Sequence, residues 1–115
     1  MRLDGAKIVN PGLLRHIIMW QQKVYITQDS FGQDVYEWQN FVTTPCRVTA
    51  LQGRELEAAM QRWAEARFKI ESQYVKGIVR AMRGLWGDRY LDVIDAEDPF
   101  GTRMSLLIYA KEWAA

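Results

Sequence analysis

The residues able to do chemistry in this chain are few and far apart. The only histidine, His16, precedes the apolar run Ile17-Ile18-Met19-Trp20. A general base needs a group that orients it, and no such constellation is evident, so a structural or surface role without an essential partner is expected. The only cysteine, Cys46, stands in Pro45-Cys46-Arg47-Val48 with no histidine beside it. One cysteine excludes an intrachain disulfide, and an apolar strand-like setting favours buried packing over nucleophilic chemistry. Asp92, Asp95, Glu97 and Asp98 are the best metal candidates. Their spacing fits no calcium loop, and regular strand alternation would send Asp92 and Asp95 to opposite faces, so a solvated turn is expected. Gly84, Gly87 and Gly101 open no helix and precede no Lys-Ser or Lys-Thr, which argues against a phosphate loop.

Arg80, Arg83, Arg89 and Arg103 lie among Trp86 and Tyr90, the mixture of cations and stacking rings that binds single-stranded nucleic acid. Asp88, Asp92 and Asp95 dilute that patch, and a formal net charge of +1 lacks the basic field of an autonomous nucleic-acid binder. No secretory apolar region follows the first residues, and the apolar runs at 17–20 and 106–110 are far short of a membrane span, so a soluble protein of a reducing compartment is expected. Five tryptophans exceed what a small core comfortably hides. Either the core is Trp-rich or some of them anchor an interface.

The elements that would position these residues are mostly strands. The 115 residues suit one domain, with residues 1–12, ending in the turn signal Asn10-Pro11-Gly12, as an N-terminal arm and 13–115 as the folded unit. Residues 14–27 are rich in β-formers and alternate in their second half. The turn residues of 28–34 and a returning strand at 35–38 complete a hairpin, and 43–51 reads as a third strand, with Pro45 near its start or on an edge. From Gly53 the period becomes helical: Leu56, Met60 and Trp63 make one apolar stripe over residues 54–65. Alternation returns at 66–74, a second hairpin turns at Gly87-Asp88, Pro99 and Gly101 mark another turn, and 104–113 is the last strand. The expected fold is mostly β, a small antiparallel barrel or sandwich of six to seven strands with one short central helix and no internal repeat.

The order of these features resembles the head–tail joining, or head-closure, proteins of tailed phages of the siphophage type. The resemblance starts at Gly12-Leu13-Leu14-Arg15-His16-Ile17-Ile18 and Trp20-Gln21, similar to the family's opening strand. Asp29-Ser30-Phe31-Gly32 and Trp38 resemble its turn and the Trp that follows. Cys46-Arg47-Val48 and Leu51-Gln52-Gly53-Arg54-Glu55 are similar to its passage into the helical segment, and Phe68-Lys69-Ile70 to its next strand. Residues 87–94, followed by Asp98-Pro99-Phe100-Gly101, resemble its closing hairpin and turn. His16 stands where the family usually has Arg, Cys46 where it has Ala, and 70–74 is less basic than the family pattern.

The resemblance implies a structural head-completion protein, without enzymatic activity or cofactor, in the virion connector and assembled in the bacterial host cytoplasm. It implies a homo-oligomeric ring, a dodecamer, below the portal and adaptor, closing the channel on packaged DNA and docking the tail. No membrane partner is expected. Rings of one chain bury two unlike faces against each other, which would account for the apolar excess; a dispersed excess favours a free protein that is monomeric or weakly associated. The candidate interface or channel segment is Arg54, Glu55, Leu56, Met60, Arg62 and Trp63, within a movable stretch 53–67; Gly32, Trp38, Gly53, Gly87, Pro99 and Gly101 are candidate turn and structural residues. Alternatives are a tail-completion or tail-tube ring protein and a single-stranded nucleic-acid-binding barrel that uses Arg80, Arg83, Trp86, Arg89 and Tyr90.

Overall fold

A computed structural model describes residues 14–99 and 101–112; the expected N-terminal arm at 1–12 lies outside the described residues. Six strands and one helix follow in the order β1 (His16–Gln28), β2 (Asp34–Ala50), α1 (Gly53–Arg62), β3 (Phe68–Gln73), β4 (Arg83–Trp86), β5 (Arg89–Glu97) and β6 (Ser105–Glu112). All pairings are antiparallel, and the sheet closes as a barrel in the order β1-β2-β3-β6-β5-β4. Closure removes the open edges that a flat six-stranded sheet would leave. The seam is short, joining Met19, Trp20 and Gln21 of β1 to Leu85, Gly84 and Arg83 of β4.

The barrel fills because alternate residues point inward. Ile18, Trp20, Cys46, Ile70, Leu91 and Ile108 are fully enclosed, and Leu106, Ala110, Val93, Ile78 and Met82 complete the cluster. Trp20 needs room across the seam, and Gly84 supplies it. A Cβ at Gly84 would lie 2.6 Å from Ile18 Cγ2 and 3.0 Å from Trp20 Cζ3. The indole N–H donates to Thr44 Oγ1 at 2.8 Å, which satisfies the one polar atom Trp20 brings inside.

Bulges account for the differences from the sequence expectation. The strands expected at 35–38 and 43–51 are one continuous β2 of 17 residues. Trp20 pairs with Val42 but Gln21 with Asn40, so Phe41 is an extra residue that breaks the alternation while the strand carries on. Pro45 is inside β2, one residue before the pairing with β3 begins at Cys46. In β5, Val93 pairs with Ala110 and Asp95 with Tyr109, so Ile94 is the extra residue. Asp92, opposite Lys111, and Asp95, opposite Tyr109, therefore share the outer face, contrary to the expectation of opposite faces.

Candidate functional site

Strands β1 and β2 run well past the barrel. Beyond Gln21 and Asn40 neither has a second neighbour, and the pairing continues as a two-stranded arm to Gln28 and Asp34. Seven residues of strand give it a reach of about 23 Å, and the molecule measures 61 × 27 × 27 Å. Five of the ten large exposed hydrophobic residues among the described ones lie on it: Tyr25, Ile26, Phe31, Val35 and Tyr36. The apolar excess is concentrated here, which corrects the expectation that it is dispersed. A bare two-stranded ribbon is marginal in water. This one is steadied by an edge-on Tyr25–Tyr36 pair at 5.9 Å, Lys23 over the Tyr36 ring at 4.9 Å, and, at its base, a hydrogen bond from Gln21 Nε2 to Asn40 Oδ1.

The tip is a tight turn with a specific sequence requirement. The Gly32 N–H donates to the Asp29 carbonyl and the Asp29 N–H to the Gln33 carbonyl. Asp29 Oδ1 accepts from the Phe31 and Gln33 amides at 2.8 and 2.9 Å. This geometry needs a left-handed residue, and Gly32 holds φ +79°. Phe31 is left 88% exposed at the extremity.

Trp38 braces the arm against the barrel. Its ring stacks on the Arg83 guanidinium at 4.2 Å, Arg83 stacks in turn on Tyr90 at 4.1 Å, and Arg83 Nε donates to Gln21 Oε1 at 2.7 Å. Arg89 pairs with Glu112 at 2.8 Å and lies against Trp86 and Phe68. The patch that resembled a nucleic-acid face is thus largely engaged within the chain.

The segment 53–67 lies on the outer face of the barrel. Leu56, Ala59 and Trp63 pack with Leu51, Ala66, Ile94 and Tyr109 as a second apolar cluster, with the Trp63 and Tyr109 rings 4.7 Å apart. Met60, expected in that stripe, is exposed; Ala59 takes the inward place, because the docked face runs through residues 56, 59 and 63. The helix stops at Arg62, with Trp63 extended at its C-cap. Three ion pairs fasten the segment: Glu55–Lys69 at 2.8 Å, Glu65–Lys111 at 2.6 Å and Arg62–Glu97 at 3.7 Å. Such exposed pairs contribute little each. Gln52 provides no side-chain cap, so the ten-residue helix depends on its docking. Arg54 is exposed.

Between this segment and the base of the arm lies an open groove of about 790 Å³. Trp38 and Trp63 contribute to its walls, together with Lys23, Arg62, Arg80 and Lys111 and two carboxylates, Glu65 and Asp92. Burial raises the Asp92 carboxyl above its ordinary range, and Lys111 and Arg83 oppose that shift. The groove is the feature that sequence reasoning missed. Its residues come from six separate stretches of chain, and no spacing unites them.

The other singled-out residues have structural places. Gly53, Gly87 and Gly101 have positive φ, Pro99 is exposed in its turn, and the Gly101 N–H donates to the Asp98 carbonyl. His16 does have partners: its Nδ1 accepts from the Val48 N–H at 3.1 Å, and its ring meets Trp86 edge-on at 5.2 Å. Cys46 is enclosed beside Thr44 Oγ1 at 3.1 Å, and burial pushes its thiol up to about 11, so it holds almost no thiolate at neutral pH. Among the described residues no group of three or more His, Cys, Asp or Glu could hold a metal, and no helix is long and apolar enough to cross a membrane.

The described residues form a closed barrel with a projecting two-stranded arm. The family model for phage head completion proteins matches residues 9–112. The chain belongs to that family, whose members are structural, non-enzymatic virion components. The solution structure of protein SF1141 from Shigella flexneri 2a is 25% identical, with a TM-score of 0.69, over 92% of this chain and 98% of that one. A chain in the virion of a native gene transfer agent particle is 16% identical, with a TM-score of 0.62, over 88% of this chain and 96% of its own length. No curated protein sequence matches.

Proposed function

We propose that this head completion protein is the connector, or stopper, between head and tail. It forms a homo-oligomeric ring below the portal and adaptor, closes the channel on packaged DNA and presents a docking surface to the tail. The observation that carries this reading is the arm at residues 22–39, a ribbon with most of the exposed aromatic surface and nothing to cover it among the described residues. Such a ribbon is completed by a neighbouring molecule, and repetition of one unlike-faced contact around an axis makes a ring. The segment 53–67 is the moving part of this proposal. It sits outside the barrel, which closes without it; a small cluster and exposed ion pairs hold its helix, and backbone hydrogen bonds of Arg67 with Leu51 and Ala110 anchor its end, so releasing the helix leaves the main core untouched.

Electron microscopy of particles made without the protein tests the assignment. Full heads that leak DNA and carry no tails are expected; sealed heads with stunted tails would move the protein to tail completion. The moving segment is tested by Met60→Ala with Trp63→Ala. The isolated barrel should still melt cooperatively while particles fail to retain DNA or attach tails. A domain that unfolds while assembled particles stay sealed would make the segment part of the core.

A further inference from the structure

We infer that the tip of the arm docks in the Trp38–Trp63 groove of a second copy of this chain, and that this heterologous contact closes the ring. The inference rests on the proposed ring and names the contact that makes it. Tip and groove differ in the way partners differ. Between Gln28 and Asp34 the tip carries two carboxylates, Asp29 and Asp34, and no cation, around the 88%-exposed Phe31. The groove brings four cations, Lys23, Arg62, Arg80 and Lys111, to two indole walls. Two of these cations are already paired, Lys111 with Glu65 and Arg62 with Glu97, and the half-buried Asp92 is the groove's other carboxylate, so Lys23 and Arg80 are the cations that carry no ion pair among the described residues. Arg80 is exposed and makes no ion pair among the described residues.

Size and reach agree with this occupant. A groove of about 790 Å³ lies within the range of about 300–1,000 Å³ typical of sites that enclose a compact ligand. A turn tipped by one aromatic ring is such a ligand, with the ring between the indoles and guanidinium groups at its face. The arm's reach of about 23 Å is close to the 27 Å width of the molecule, so a tip can cross to the groove of a neighbour. It cannot turn back into its own groove, because that groove begins at the arm's base, at Lys23 and Trp38. Each copy has one tip and one groove on different parts of its surface, as a closed ring requires.

Engineered cysteines test the contact in assembled particles. Ser30→Cys and Arg80→Cys replace exposed residues at the tip and in the groove, and enclosed Cys46 stays out of the reaction. Within one chain the two new thiols stand much farther apart than the roughly 7 Å a disulfide spans, so any link joins two molecules. Mild oxidation of the double variant should give a ladder of linked subunits on a non-reducing gel, and neither single variant should do so. Rings visible by microscopy without a ladder, or dimers from Ser30→Cys alone, would overturn the tip-in-groove contact and leave the ring standing. Particles with no ring of this protein would overturn the ring itself. Independently, Phe31→Asp should leave the melting temperature unchanged and lower incorporation into particles by about tenfold or more, as loss of a central aromatic anchor does. Unchanged incorporation would also overturn the contact.

Discussion

The two ends of the β1–β2 pair are made of the same strands and live in different surroundings. Near the barrel, Ile18, Trp20, Thr44 and Cys46 are enclosed, because β4 and β3 flank the pair and the barrel closes over it. A few residues further out, Tyr25, Ile26, Val35 and Tyr36 are of equally β-forming types and stand in solvent. The difference teaches that strand-forming residues dictate an extended pair, whereas burial comes from whichever neighbours the sheet supplies. In the barrel those neighbours belong to the same chain. Along the arm no described residue of the chain supplies them, and in the proposed ring they belong to another molecule.

The comparison breaks most visibly in the core. Trp20→Ala should destabilise the protein by about 3–5 kcal/mol in denaturant unfolding, through lost transfer energy and the cavity left beneath Gly84. A cost below about 1 kcal/mol would mean that the barrel interior is not the folding core. The next effect belongs to Cys46. Its folded-state thiol titrates near 11 against an ordinary 9.0, so the unfolded chain loses its proton first. Stability from this group is complete below pH 9 and falls as pH rises toward 11, by roughly 2–3 kcal/mol. Unfolding of the parent and of Cys46→Ala across that window checks it: the variant should lack this part of the alkaline decline.

Smaller effects sharpen the contrast by staying local. Gly32→Val puts a β-branched residue at φ +79°, a strain of about 1–2 kcal/mol. Amide exchange should quicken along the arm and stay slow at Ile70 and Ile108; uniform quickening would show that arm and barrel unfold as one unit. His16→Ala removes the acceptor of the Val48 N–H and should cost about 1 kcal/mol in a thermal melt. A silent variant would mean water replaces the imidazole without loss. Phe31→Ala should shift folding stability by less than about 0.5 kcal/mol, despite deleting a whole aromatic ring. A loss like that of Trp20→Ala would place Phe31 in a core of its own.

Much of this molecule is legible along the chain. Alternation marks the strands, the change of period at Gly53 marks the helix, and Asp29 to Gly32 spells a tight turn. These are local matters, decided by backbone sterics and by side-chain periods of two or 3.6 residues. The ordered set of such signals also carries the resemblance to head completion proteins. Tertiary structure alone decided the rest. Phe41 and Ile94 became bulges because pairing partners across the sheet set the register, so β2 stayed whole and Asp92 and Asp95 came to one face. Ala59 rather than Met60 faces inward because Ile94 and Tyr109, distant in sequence, lie beneath the helix. His16 found Val48, and Trp38 found Arg83, across separations that no local pattern encodes. The groove has the same origin: its two indoles and four cations are scattered from Lys23 to Lys111 and meet only when the barrel closes.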